Sequence, residues 1–158
     1  MARRIRISNL RAGLKVDRAA IRKLLAALDR DAPWKCPVGE LSVAFVGDAE
    51  IIRLHDEFLD DPTVTDVITF PGDDDETPGD GEAFAGEICV CADQALREAA
   101  KHGFTPDDEL TLYLVHGWLH LAGHDDRTEA PRAAMREAER VCLALLRGKK
   151  LMPRYVFP

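Results

Sequence analysis

His116-Gly-Trp-Leu-His120-Leu-Ala-Gly123-His-Asp-Asp126 is the stretch from which the rest of the chain is read. Two histidines four apart on a helix point the same way, because 3.6 residues make a turn. Their imidazoles can close on one metal ion. A glycine three residues after the second histidine can end the helix and fold the chain back. That return brings a third ligand type, Asp126 or His124, toward the same ion. Three protein ligands with an open fourth position is the arrangement of a hydrolytic zinc site.

The spacing His-x3-His-x2-Gly-x2-Asp matches the frame of extended zincin helices, where the glycine permits the turn. In an unbroken helix His116 and His124 would lie about 12 Å apart along the axis, too far for one ion. With a turn at Gly123, Asp126 takes the spacing of the third ligand and is preferred to His124. An aspartate lowers the site's net charge from about +2 to about +1, so bound water is less acidified than at a three-histidine site. His124 and Asp125 are then candidates to orient ligands or transfer a proton. The glutamate that follows the first histidine in metalloproteases is Gly117 here, which removes the usual base for peptide hydrolysis.

Outward from the motif, helices and strands alternate. Thr105-Pro-Asp-Asp108 starts the histidine helix with a capping residue, a proline in the first turn and an acid three residues on. That helix runs to about Ala122, and its many leucines mark it as central. Further helices are expected over 18–30 (cap Asp17; Ile21, Leu24, Leu25 and Leu28 inward) and from an Asp48 cap to about Leu59 (Ile51, Leu54, His55 and Phe58 inward). Two more are expected over 93–101 and from Thr128 onward (Met135, Ala138, Val141 and Leu145 inward), the last with Gly148 after its end. Strands are expected at 4–8, 40–47, 65–70 (stopped by Pro71) and 85–92. Gly72 to Glu82, rich in aspartate and glycine, reads as a flexible loop. The sum is an α/β sandwich: about five helices and a mixed, mostly parallel four-stranded sheet, with the metal site on a central helix.

At 158 residues and 17.5 kDa the chain is read as one domain, 1–158. No run approaches the roughly 20 apolar residues of a membrane span, and the N-terminus shows no signal peptide, so a cytoplasmic location without membrane contact is expected. Cys36, Cys89, Cys91 and Cys142 form no CxxC pair and read as buried apolar residues. Net charge is −7, unevenly spread. Residues 1–30 carry nine basic side chains against Asp17 and Asp29, whereas 46–90 carry fourteen acidic ones against Arg53. These are either solvated helix faces or a basic surface for a polyanion opposite an acidic one.

At the histidine motif the chain resembles the YbeY family of bacterial rRNA maturation factors, which are metal-dependent endoribonucleases. The family pattern His-Gly-x-Leu-His-Leu-x-Gly-Tyr-Asp-His is matched from His116 through Gly123. His124 then replaces the tyrosine, Asp125 matches, and Asp126 replaces the last histidine. Thr65-Asp-Val-Ile-Thr-Phe-Pro71 resembles the family's Thr-Asp-Val-Leu-Ser-Phe-Pro, and Gly86-Glu-Ile88 its Gly-Asp/Glu-Ile. The resemblance implies a zincin-like fold with one Zn2+ on the histidine helix. It implies cleavage of single-stranded RNA at the 3′ end of small-subunit (16S) rRNA, and a part in ribosome quality control. The partners implied are rRNA and the small ribosomal subunit, with no DNA. Asp66 and Thr69 are either strand-forming and capping residues or part of a cleft floor. Where the family has Leu-Asn-x-x-aromatic-Arg, this chain has Leu54-His-Asp-Glu-Phe-Leu59, so the arginine is missing. Either RNA-gripping charge comes from Arg53 or the N-terminal arginines, or activity is weaker. The rival readings are a non-catalytic, metal-stabilised ribosome-assembly factor and a metal-dependent hydrolase of another substrate.

Overall fold

A computed structural model describes residues 3–72 and 83–158. In chain order the elements are β1 (Ile5–Asn9), β2 (Lys15–Val16), α1 (Arg18–Asp31), β3 (Glu40–Val46), α2 (Asp48–Leu59) and β4 (Val67–Pro71). There follow β5 (Phe84–Cys91), α3 (Ala92–His102), α4 (Pro106–Leu121), α5 (Glu129–Gly148) and β6 (Tyr155–Val156). The main sheet has the order β1-β3-β5-β4. β1, β3 and β5 are parallel, and β4 runs antiparallel to β5. The mixed, mostly parallel sheet and five helices expected from the sequence are present. The loop expected at Gly72–Glu82 lies, from residue 73 on, outside the described residues.

Period-two alternation sorts the sheet into two apolar faces. Leu41, Val43, Phe45, Ile88 and Val90 face one side, with Ile21, Leu24, Leu25 and Leu28 of α1, most of α4, and Met135, Ala138, Cys142 and Leu146 of α5. Ala44, Val46, Ile68, Cys89 and Cys91 face the other, with Ile51 of α2. Burying a Leu, Ile or Phe completely stabilises by roughly 1.5–3 kcal/mol, so the larger first face carries most of the core. α4 lies inside it, packed against α3, α5, β4 and β5. Among described residues only Glu109 and Thr111 are polar and fully buried, and both lie on this helix. All four cysteines are buried and free.

Several local expectations are corrected. The cap of α2 is Gly47, not Asp48; Asp93 accepts from the Asp48 N–H at 2.9 Å across the chain. Phe58 and Val141, expected inward, are 56% and 38% exposed, and Leu145 is only half-buried. Cys142 and Leu146 take the buried positions of α5 instead. Pro71 does not stop β4 but is its last residue, paired with Gly86. An edge strand tolerates a proline because half its N–H groups have no strand to bond. Gly148 closes α5 rather than following it, and the left-handed residue after the helix is Lys150 (φ 58°). The β2–β6 ribbon, two residues per strand, has too short an alternation to be read in sequence.

Candidate metal centre

α4 presents His116 and His120 one turn apart, with ring centroids 4.6 Å apart and Nε2 atoms 3.0 Å apart. The helix ends in a Schellman arrangement. Gly123, at φ +104°, donates its N–H to His120 O at 3.1 Å, and His124 donates its own to Leu119 O at 2.9 Å. An L side chain rarely adopts that φ, so glycine makes the reversal possible. The reversal carries Asp126 back over the helix. Its Oδ2 lies 3.3 Å from His116 Nε2 and 3.6 Å from His120 Nε2. One donor atom from each of the three residues falls within 4.8 Å of the others, a group that can hold a metal ion.

Glu139 of α5 completes the arrangement, and sequence reasoning missed it. His116 Nδ1–H donates to its Oε1 at 2.8 Å. A carboxylate on Nδ1 fixes the ring's orientation and tautomer, leaving Nε2 as the free donor atom. The only sequence signal was an acid beside the buried stripe Met135, Ala138 and Cys142. Burial pushes the His116 pKa down, but the Glu139 hydrogen bond and charge, with the charges of Asp66 and Asp126, outweigh it and hold the pKa above the usual imidazole value. His120 is shifted the other way, by burial first and then by the neighbouring His116 charge. A lowered pKa favours the neutral imidazole, the form that binds metal.

The remaining candidates are spread around the centre. His120, His124, Asp125, Arg127 and Thr69 line a cleft of about 480 Å3 whose walls include Pro37, Val38 and Phe84. Val38 and Phe84 are exposed, at 86% and 37%. His124 stands edge-on to Trp34 at 4.9 Å, and its Nδ1 is buried without a partner among the described residues. Asp125 Oδ1 accepts from the N–H groups of Asp126 and Arg127 at 2.7 and 3.2 Å, which braces the turn. Asp66 Oδ1 accepts from the Val67 N–H and the Thr65 hydroxyl at 2.8 and 3.3 Å, while Thr69 faces the cleft.

Gly117 faces the sheet. A Cβ there would meet Ile88 Cγ2 at 2.4 Å and the Thr69 and Val67 methyls at 3.3 Å. The position that carries the base in metalloproteases is thus a close helix–sheet contact with no room for a glutamate. Leu59 ends α2 and is 60% exposed. Arg53, one of the two sources considered for RNA-gripping charge, is bound to Glu50 and Glu57 of its own helix at 2.7 and 2.8 Å.

A helix that gathers two imidazoles and a returning carboxylate beside an open cleft, beneath a mostly parallel sheet, defines an α/β protein with a candidate metal site on its central helix. The family model described as Endoribonuclease YbeY matches residues 6–147, and the chain belongs to the YbeY family of endoribonucleases. It is 38% identical over 135 residues to Endoribonuclease YbeY of Protochlamydia amoebophila, spanning 85% of this chain and 87% of that one. It is 42% identical over 100 residues to Endoribonuclease YbeY of Micrococcus luteus, spanning 61% and 63%. The solution structure of TM1509 from Thermotoga maritima shares the fold, with a TM-score of 0.58 over 93% of this chain and 94% of that one at 24% identity.

Proposed function

We propose that this chain is a single-strand-specific endoribonuclease acting in the cytoplasm on the 3′ end of small-subunit rRNA, in ribosome maturation and quality control, with His116, His120 and Asp126 holding one zinc ion. One observation carries the reading: two imidazole Nε2 atoms and the Asp126 carboxylate converge beside a cleft of about 480 Å3 that His120 also lines. Two nitrogens and one oxygen suit zinc, and the Glu139 bond to His116 is the support such a ligand ordinarily has. When bound, the ion supplies Lewis-acid polarisation of a phosphoryl oxygen and an acidified water. The protein's own residues do the rest. Glu139 keeps His116 Nε2 aimed at the centre. His124, at the cleft with its Nδ1 unpartnered, is placed to hold or pass a proton. Phe84 and Val38 offer apolar surface to an unstacked base, as single-strand binders commonly do.

Gly117 disfavours peptide hydrolysis, because a side chain added there collides with the Ile88 methyl of β5. Exposed Leu59 and the self-paired Arg53 favour, as a second reading, a metal-stabilised assembly factor that does not cut. Side-by-side assays of single-stranded RNA, duplex RNA and a peptide decide between them. The expected result is cleavage of the single strand alone, lost by at least a hundredfold in His120→Ala. Normal rRNA processing in cells carrying His120→Ala, with the metal gone, would establish the non-cutting reading instead.

A further inference from the structure

Among the described residues β1 is an edge of the sheet, pairing with β3 alone. Leu41 N donates to Arg4 O at 3.0 Å, and Leu10 N donates to Phe45 O at 2.8 Å. The backbone groups of a strand bond alternately to its two sides. The even-numbered residues of β1 therefore bond β3, and the N–H groups of Ile5 and Ile7 face outward. Alongside lies a groove of about 660 Å3 lined by Arg3, Arg4, Ile5, Arg6, Ile7 and Arg22. Arg3 is an anchor: it binds Asp29 at 2.7 Å and donates to Pro37 O and Gly39 O at 2.7 and 3.1 Å. Arg6 is 66% exposed, with Glu40 at 3.2 Å, and Arg22 stands exposed on α1.

This groove adjoins the metal cleft. Arg3 holds the Pro37–Gly39 connection from the groove side, and Pro37 and Val38 of the same connection wall the cleft. A chain leaving the cleft over these residues meets the groove next. We infer that the β1 groove is a second contact for single-stranded RNA, taking the phosphodiester backbone of the strand beyond the cleft; this rests on the ribonuclease reading above. Guanidinium groups match phosphate geometry, and outward N–H groups add donors. The alternative direction is closed by charge, since α2 offers only an arginine already bound to Glu50 and Glu57. An acidic peptide adding to the β1 edge is the competing occupant. Continuity with the cleft favours RNA.

Fluorescence anisotropy with labelled 2′-O-methyl RNA, with the probe checked to be intact on a gel after each reading, tests the inference. The probes are a strand of about 16 nucleotides and one of about four, the range covered by single-strand binding sites. In Arg6→Gln/Arg22→Gln the long strand should bind about tenfold more weakly, with the salt slope flatter by about 1.4, two contacts at about 0.7 each. The short strand should bind as in wild type, and short unmodified RNA should be cut at the wild-type rate. Glu40→Gln, which releases Arg6, should tighten the long strand. Wild-type affinity and slope for the long strand in the double variant would overturn the inference. So would equal weakening of both strands, or a polyglutamate peptide that binds more tightly than RNA and is lost with the same two arginines. If wild-type protein cuts neither unmodified RNA, the ribonuclease reading fails, and the anisotropy still decides whether the groove binds RNA.

Discussion

Glu139 touches the centre through one bond, from His116 Nδ1 to its Oε1 at 2.8 Å. Glutamine in its place keeps the shape and can still accept from Nδ1–H, but it loses the charge that makes the imidazole more basic. Zinc affinity of Glu139→Gln should fall about 10- to 100-fold, the usual cost of losing such a partner. Isothermal titration measures it, and unchanged affinity would remove Glu139 from the account. Residue chemistry explains why the motif was legible and Glu139 was not. His116, His120 and Asp126 sit within eleven positions of each other, so helix geometry and one glycine determine where they meet. Glu139 lies 23 residues from its partner and is brought there by the packing of α5 on α4.

At the scale of elements, the end of α4 decides where Asp126 goes. Nothing lies within 4 Å of a Cβ built at Gly123, so its role is conformational. Gly123→Ala should cost about 1–2 kcal/mol of stability from the forced φ. It should also weaken zinc binding, because relief of the strain displaces the turn that carries Asp126. Denaturant unfolding with and without zinc separates the two effects, and a loss of stability with zinc affinity intact would show that the turn does not position the ligand. At the other end of α4, Glu109 is 3% exposed beside α3. Burial pushes its pKa above the usual carboxylate value, and the His102 charge opposes this. A raised folded pKa means a contribution fully present below the unfolded value and lost as pH rises through the folded one. Glu109→Gln should therefore flatten the decline of Tm above about pH 4.5, and an identical pH profile would contradict that. The elements legible in sequence were those with local signals, such as the Thr105 cap, whose hydroxyl accepts from Asp108 N. The α2 cap was misread because Asp93 reaches Asp48 from 45 residues away. Phe58 was misplaced because it packs at 4.9 Å on Phe70 at the margin of the fold, not into it.

Across the whole molecule, the parallel strands β3 and β5 begin at the same end of the sheet, and the C-terminal end of α4 reaches that end. The cleft forms there from the start of β5, the end of β4, the Pro37–Val38 connection and the turn after α4. No helix among the described residues is long and apolar enough to cross a membrane. Alternation and helical periodicity were enough for the layers. Strand order was not legible, because pairing of β5 between β3 and β4 depends on contacts far apart in the chain. His116, His120 and Asp126 meet at that end of the sheet. Zinc-edge anomalous diffraction from crystals of the zinc-loaded protein tests this ligand set most directly. The result expected is a single peak within bonding distance of His116 Nε2, His120 Nε2 and the Asp126 carboxylate, with a fourth position toward the cleft. A peak bound by His124 in place of Asp126, or no peak at these residues, would contradict it.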